Sequence, residues 1–136
     1  GFPSVRQGLA AELGGRGGGR IRIRVKGTAN FGREAEQLVA NGGAGTQSGS
    51  SMSGGGAGGS IDVEADVIGG RSMFSAVGAS GFSTSATGGC GAGGRVAIRA
   101  RRRGGLSDAV EARAWGGNYR CSASAPGTVY LEEAGR

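Results

Sequence analysis

The sequence predicts an all-β protein, a parallel β-helix or β-solenoid of about three glycine-rich coils with long Gly/Ser loops. Three observations lead to this fold class. Short segments alternate strictly between apolar and charged residues, as strands with one buried face do. These segments recur every 33 to 40 residues, which is a repeat length typical of stacked architectures. The outward charges also change sign from each segment to the next along the chain.

The first element of each repeat is a strand, and the clearest one runs from residue 60 to residue 67. Its odd-numbered residues are apolar, and its even-numbered residues from Asp62 onwards are acidic. Matching strands are predicted at residues 20–26, 95–101 and 128–133. Their aligned apolar anchors, spaced by 40, 35 and 33 residues, are Ile21, Ile61, Val96 and Val129. A one-residue slip would turn the apolar face outwards, so the pattern also specifies the register.

A glycine-containing turn and a second strand follow each first strand, and a long Gly-rich loop closes the repeat. The second strands are predicted at residues 34–40, 71–76 and 109–114, each ending at an alanine. The coils are an incomplete one at residues 1–19 and then 20–59, 60–94 and 95–127, with a final strand in residues 128–136. We interpret the chain as a single repeat domain of a longer or polymerising structure, because one unit cannot bury its own apolar face.

Parallel stacking of the first strands would place the outward charges of neighbouring strands next to each other. The rows read basic, acidic and basic, and an acidic residue follows on the last strand. Opposite charges across neighbouring strands contribute roughly 0.2–1 kcal/mol a pair, so their main effect is to fix the register. This predicted cross-strand charge ladder consists of Arg22, Arg24, Lys26, Asp62, Glu64, Asp66, Arg99, Arg101 and Glu132. An antiparallel sandwich would explain the alternation but not the change of sign.

The repeat pattern as a whole is similar to a known kind of segment. A motif of the form Gly-Gly-x-Ile-x-Ile-x-Ala is followed by a strand with Ala-x-Gly-Gly, by a Gly-rich loop and by Gly-Thr-Val-Tyr-Leu. These elements lie at residues 58–65, 40–43, 88–99 and 126–131. They resemble the glycine-rich β-solenoid segments of large cell-surface and extracellular proteins of bacteria and protists. The resemblance covers nearly the whole chain and implies a stalk, a fibre or an adhesive surface.

The composition offers little for catalysis. The chain has no His, which excludes a His-based triad and imidazole metal ligation. The acidic row of Asp62, Glu64 and Asp66 could hold Ca²⁺ or act as the acids of a polysaccharide-cleaving β-helix. Pairing with the basic rows beside it is the preferred interpretation. We therefore expect no enzymatic activity, no cofactor and no metal site.

A net charge of +6 permits an anionic partner. The densest basic patch consists of three arginines on the strand at residues 95–101, namely Arg95, Arg99 and Arg101, and of Arg102 and Arg103 directly after it. Three aromatic residues that could contact a sugar or a partner subunit are Trp115, Tyr119 and Tyr130. A solvated face paired with the acidic strand is the preferred interpretation of the basic patch, and contact with an anionic glycan or a partner subunit is the alternative. The Gly/Arg run at residues 14–20 lacks interleaved aromatic residues, so nucleic acid is not expected as a partner.

Two cysteines bear on the compartment. Cys90 and Cys121 precede consecutive first strands by 6 and 8 residues, so stacked loops would bring them to bridging distance. A disulfide there would indicate an oxidising compartment. No apolar run approaches the roughly 20 residues of a membrane span, so membrane insertion is not expected.

These observations predict a structural subunit of an extracellular or cell-surface fibre, appendage or stalk. It would assemble with itself or with other fibre subunits through its open ends and charged faces. The alternative is an adhesive β-helix module that binds an anionic polysaccharide through the arginine patch and the aromatic residues.

Overall fold

The computed structural model describes residues 14–32, 36–48, 51–81, 89–118, 121 and 124–135. The described part of the chain is all-β and contains no helix. Its strands are β1 (Arg20–Arg24), β2 (Thr28–Asn30), β3 (Glu36–Val39), β4 (Gln47–Ser48), β5 (Ser51–Met52), β6 (Ser60–Ala65), β7 (Val67–Gly69), β8 (Ser72–Ser75), β9 (Arg95–Ala100), β10 (Val110–Arg113) and β11 (Thr128–Glu133). Most of the predicted coil at residues 1–19 lies outside the described residues.

The four predicted first strands form one sheet, which we call the first sheet. Its strand order is β1-β6-β9-β11, and every neighbouring pair is parallel. The four anchors share one register, with Ile21 opposite Ile61, Ile61 opposite Val96, and Val96 opposite Val129. The parallel pairing predicted from the sequence is therefore confirmed, and the antiparallel sandwich is wrong for these strands.

The predicted second strands form a second parallel sheet of order β10-β8-β3. Ala112, Phe74 and Leu38 lie opposite one another across it. A third pair, β2 with β7, is also parallel, and Leu106 continues it as a single bridge to Ile68. Like elements of successive repeats thus lie side by side in all three sheets.

Two features of the fold were not predicted from the sequence. Residues 27–32 were expected to be a turn, but they contain β2, and the residues after Asp66 contain β7. Each strand has only three residues, which is too short to show a period of two. The short antiparallel pair of β4 and β5 lies within a region expected to be loop.

The core is formed by inward side chains of all three parallel sheets. Its largest fully buried side chains are Phe74, Ile61, Ile68, Ile98, Val63 and Val96. Phe31 meets Phe74 edge to face, with ring centroids 5.4 Å apart. The predicted inward residues of β11 behave differently, since Val129 is 43% exposed and Leu131 is 51% exposed. β11 is an edge strand, so the side of these residues away from β9 has no neighbouring strand among the described residues.

The glycine-rich segments build a hydrogen-bonded wall instead of projecting as loops. We call it the glycine wall, and it consists of residues 15–18, 40–45, 54–59, 76–79, 89–94, 114–117 and 124–127. Along the stack, the amide of Gly58 donates to the carbonyl oxygen of Ala92 at 2.8 Å. Across the wall, the amide of Gly94 donates to the carbonyl oxygen of Ala76 at 2.7 Å. Both bonds recur in the other repeats.

The glycine wall has no room for side chains at many positions. A Cβ atom added at Gly58 would lie 2.6 Å from the amide nitrogen of Gly94, and one added at Gly45 would lie 2.5 Å from the carbonyl oxygen of Ser53. Crowded glycines recur three residues apart, as at Gly15 and Gly18. That spacing is typical of an extended helix with three residues per turn and no internal hydrogen bonds. Backbone packing therefore replaces side-chain packing along this side of the molecule.

Candidate interaction surface

The side chains of the first sheet that point away from the core form a charged face, which we call the outer face. Its rows follow from the confirmed register, because β1 is basic, β6 is acidic and β9 is basic along this face. Arg22 lies opposite Asp62, and Arg24 lies opposite Glu64.

Arg101, directly after β9, makes two ion pairs on the outer face. Its Nε atom lies 2.9 Å from Oδ1 of Asp66, and its Nη1 atom lies 3.3 Å from Oε2 of Glu64. Its Nη2 atom donates to the carbonyl oxygen of Val25 at 2.6 Å. One side chain therefore ties the ends of three successive strands together.

Arg99, two residues earlier on β9, connects the strands on both sides of β9. Its Nη1 atom lies 3.2 Å from Oδ1 of Asp62 on β6, and its Nε atom lies 3.9 Å from Oε1 of Glu132 on β11. Its guanidinium carbon lies 5.4 Å from the ring centroid of Tyr130, within the range of a cation–π contact. Both arginines thus hold neighbouring strands in register.

The basic row of β1 is paired less completely than the sequence predicted. Arg24 reaches Glu64 at 3.8 Å, but neither Arg22 nor Lys26 makes an ion pair with another described residue. The reason lies on β9, where the residue opposite Asp62 is Ala97, so the Arg99 side chain has space to reach across to Asp62. The acidic row is therefore engaged mainly by β9, and the edge strand β1 keeps uncompensated positive charge.

The contact with Arg101 changes the acidity of Asp66. The hydrogen bond from the Arg101 guanidinium holds the pKa of the Asp66 carboxyl below its ordinary value. The amide of Gly27 adds a second donor, 3.1 Å from Oδ2 of Asp66. Both donors stabilise the ionised carboxylate.

This contact predicts how stability responds to acid. A carboxyl with a lowered folded-state pKa stabilises the fold above its unfolded pKa of about 3.9, and that contribution is lost as the pH falls through the folded value. We expect the urea midpoint to decrease as the pH falls from about 5 to about 2, and to decrease less steeply in Asp66→Asn. Asp108→Asn is the matched control, because Asp108 makes no ion pair with a described residue. Equal slopes for D66N and the unsubstituted protein would contradict the role assigned to Asp66.

The other residues predicted to contact a partner do not form one surface. Arg95 is exposed at the start of β9, and Arg102 and Arg103 are exposed just after its end. Trp115 follows β10 of the second sheet, is 53% exposed and lies 5.3 Å from the Arg113 guanidinium carbon. Tyr130 belongs to the first sheet, so Trp115 and Tyr130 do not lie on the same sheet. Tyr119 lies outside the described residues.

Tyr130 is held by its neighbours on the outer face. Its hydroxyl donates to Oε2 of Glu132 at 3.0 Å, and this hydrogen bond raises the pKa of Tyr130. The Arg99 guanidinium lies over the Tyr130 ring in a cation–π contact. The ring is 43% exposed, so a partner placed beside β11 would meet it.

Among the described residues, β11 and β1 are the edge strands of the first sheet, and they present different backbone groups. On β11, the amides of Thr128 and Ala134 donate to Gly94 and Ala100 at 3.0 Å each, towards β9. Alternate residues of a strand direct their N–H and C=O groups to opposite sides. Val129 and Leu131 therefore direct theirs away from the sheet.

The same reasoning applies to β1 at the opposite edge. The amide of Val25 donates to the carbonyl oxygen of Glu64 at 2.9 Å, and the carbonyl oxygen of Gly19 accepts from Ser60 at 3.0 Å. Odd-numbered residues of β1 thus face β6. Arg20, Arg22 and Arg24 direct their backbone groups away from the sheet. Open edges of this kind are templates for pairing with another strand.

Cys90 and Cys121 form a disulfide, as the sequence predicted, with their Cα atoms 6.0 Å apart. It connects the glycine-wall segment before β9 with the loop before β11. Beside it, the Ser124 hydroxyl donates to the carbonyl oxygen of Gly91 at 2.6 Å, and the Gly117 amide donates to the same oxygen at 3.0 Å. A disulfide is consistent with a compartment other than the cytoplasm.

Sequence reasoning missed the role of Glu133. This carboxylate sits at an inward position of β11, opposite Ala100. It accepts from the amide of Gly104 at 3.0 Å and from the amide of Leu106 at 3.3 Å. An acidic residue in the apolar phase of the 129, 131, 133 alternation was the signal that marked it. Glu133 thus ties β11 to the turn after β9.

Within the described residues, no three His, Cys, Asp or Glu side chains are grouped closely enough to hold a metal ion. The described part of the chain also has no helix of the length and apolarity that crosses a bilayer. No family model, no curated protein and no solved structure matches this chain. The geometry of its own residues therefore carries the functional argument.

Proposed function

We propose that this chain is a structural unit of an extracellular fibre, surface appendage or stalk, built as a parallel β-solenoid that extends at its open sheet edges. The proposal rests on the exposure of the apolar side chains of β11. Val129 and Leu131 are 43% and 51% exposed, whereas their register partners Val96 and Ile98 are completely buried. Among the described residues, β9 has a strand on each side and the second-sheet strand β10 in its own repeat, whereas β11 has neither an outer neighbour nor a second-sheet strand of its own. A further repeat added beside β11 would bury this apolar surface as well.

The strand arrangement supports the solenoid. Successive repeats contribute parallel neighbours to the first, second and third sheets in the same order along the chain. The glycine wall repeats with them, as shown by the equivalent bonds from Gly59 to Ala40 at 2.7 Å and from Gly94 to Ala76 at 2.7 Å. A structure in which each layer contacts only its neighbours can be lengthened without limit.

The outer face supports a structural role over a catalytic one. Asp62, Glu64 and Asp66 are each within 3.3 Å of an arginine nitrogen of β9 or its extension. Carboxylates engaged in this way hold register between strands. The disulfide supports the extracellular location, because such bonds persist in oxidising environments.

The first test removes the apolar edge. In Leu131→Glu, an inward charge on β11 would be buried by any strand added there, so we expect the polymers formed by the unsubstituted chain to disappear. Electron microscopy and sedimentation velocity over a concentration series measure this. Thr128→Glu is the matched control: it adds the same charge to the same strand, but on the outer face opposite Arg95, and should still polymerise.

Two outcomes would contradict the proposal. One is a chain that stays monomeric at every concentration without any substitution. The other is equal polymerisation of L131E and the unsubstituted chain, with unchanged circular dichroism. Either result would show that the chain does not assemble through the edge of β11.

The alternative function, an adhesive module for an anionic polysaccharide, is favoured by a separate observation. Arg20, Arg22 and Arg95 lie on the outer face and make no ion pair with another described residue. Salt-sensitive retention on a sulfated-glycan resin that is lost in Arg20→Ser/Arg95→Ser would support this alternative. Retention of the monomeric L131E variant on the same resin would show that glycan binding does not need assembly.

A further inference from the structure

We infer that β11 of one copy takes up β1 of a second copy as a parallel neighbour, head to tail, with Ile21 of the incoming copy opposite Val129. The inference rests on the proposed function and names the partner of the open edge. The reasons lie in the direction of the backbone groups, in the side chains that would meet and in the number of strands in each sheet.

The backbone groups of the first sheet follow one rule. Residues with inward side chains bond to the following strand: the carbonyl of Gly59 accepts from Arg95 at 2.9 Å, and the carbonyl of Ala65 accepts from Arg101 at 2.8 Å. Residues with outward side chains bond to the preceding strand, as Ser60 and Thr128 do. The open edge of β11 therefore offers the groups of Val129 and Leu131, and the open edge of β1 offers those of Arg20, Arg22 and Arg24.

These two edges fit each other in the register used within the chain. With Ile21 opposite Val129, the groups of Val129 would bond to Arg20 and Arg22 of the incoming copy, as Ile61 bonds to the neighbours of Val96. Both apolar faces would then point to the same side. A slip of one residue would lose the hydrogen bonds and turn the apolar face outwards.

The side chains also match. Leu131 would lie opposite Ile23 on the inward side, where it is now half exposed. On the outer face, Glu132 would lie opposite Arg24, and Tyr130 would lie opposite Arg22. Arg22 has no ion pair with a described residue, and Tyr130 already accepts a guanidinium from Arg99 at 5.4 Å. The acidic and aromatic residues of one edge thus meet the basic row of the other, in which Arg24 reaches Glu64 at 3.8 Å and Arg22 has no ion pair with a described residue.

Pairing of β1 with itself is disfavoured by charge. An antiparallel β1 pair would place Arg20, Arg22 and Arg24 against the same row of a second copy, and like charges directly opposite each other destabilise strand pairing. The basic row thus prevents β1 edges from joining each other while it favours the edge of β11. A contact between two different surfaces that does not close into a ring produces a linear filament.

The unequal number of strands selects the first sheet for this contact. The first sheet has four strands and the second has three among the described residues, so β11 stands one layer beyond β10. Seating the incoming β3 directly on β10 would require the incoming β1 to occupy the place of β11. The incoming copy would therefore join through β1 and β11, one layer further along, and the layer of β11 would have no second-sheet strand among the described residues.

The experiment blocks one edge in each of two variants. Arg22→Pro and Leu131→Pro remove amides that point away from the sheet, so each leaves the internal ladder intact while the ring obstructs the open edge. In sedimentation velocity, each variant alone should stay monomeric. An equimolar mixture should form dimers with one copy of each variant, because only Arg22→Pro keeps a free β11 and only Leu131→Pro keeps a free β1.

The outcomes separate this inference from the proposed function. Dimers of Arg22→Pro alone would show that β11 pairs with itself. Polymers of the unsubstituted chain, together with a mixture of variants that stays monomeric, would show that assembly uses another contact. Either result would overturn this inference and leave the proposed function in place. A monomeric unsubstituted chain overturns the proposed function.

If circular dichroism shows that either proline variant does not fold, a charge reversal replaces it. Glu132→Arg should raise the concentration needed for polymerisation about tenfold, and Arg24→Glu in the same chain should restore the original concentration. A double variant no better than E132R would likewise overturn the inference.

Discussion

Replacing Gly94 with alanine is expected to destabilise the protein by about 3 kcal/mol or more. The added Cβ atom would overlap with the carbonyl oxygen of Gly59 and would lie 2.6 Å from the carbonyl carbon of Gly58. These are backbone atoms of the neighbouring layer, which cannot turn aside as the end of a long side chain can. The amide of Gly94 also bonds to Ala76 at 2.7 Å, so a shift that relieves the clash breaks a hydrogen bond across the wall.

Gly89→Ala is the matched control for this substitution. Gly89 begins the same glycine-wall segment, yet a Cβ atom there meets nothing within 4 Å. Alanine at an unstrained position restricts the unfolded chain, so G89A should be neutral or more stable by up to about 1 kcal/mol. Urea unfolding followed by circular dichroism compares the two. Equal midpoints for G94A and G89A would contradict the close backbone packing of the wall.

The contrast between these glycines shows where sequence reasoning stops. Alternation along Ile61, Val63 and their equivalents predicts strands, their parallel pairing and their register, because a slip would expose the apolar face. The glycine-rich segments have no such alternation. Nothing in the composition distinguishes Gly94 from Gly89, since the difference lies in which backbone passes within contact distance.

The candidate surface was also predictable only in part. The sign of each charged row follows from the sequence, and the rows lie next to each other as expected. The partner of each acid depends on side-chain reach: Ala97 opposite Asp62 leaves Arg99 free to extend to it, which no alternation reveals. The exposure of Leu131 arises from its place at the sheet edge, which the same apolar pattern cannot distinguish from an interior strand.

Removing the disulfide with Cys90→Ser/Cys121→Ser is expected to lower the free energy of unfolding by about 3–4 kcal/mol in the chain-entropy account. The bond links residues 31 apart, so breaking it frees the unfolded chain to explore many more conformations. The double substitution avoids leaving an unpaired thiol. Urea unfolding at constant pH measures the difference, and the slope of free energy against urea shows whether the unfolded state has become less compact.

Reduction of the unsubstituted protein supplies the control. A thiol reductant should bring its urea midpoint to that of the double variant, whose own midpoint should not respond to the reductant. The loss should begin in the last layer, where the amides of Gly93 and Gly127 bond to Ala125 at 3.0 Å and to Ala114 at 2.6 Å. Hydrogen exchange at these two amides should therefore accelerate more than at Gly18, which lies at the other end of the wall and donates to Ala57 at 2.8 Å. Because β11 follows this layer directly, a reducing compartment would weaken the strand that offers the open edge. A urea midpoint that does not change with the reductant would show that the stability of this edge does not depend on the disulfide. It would also remove the physical reason for linking this fold to an oxidising environment.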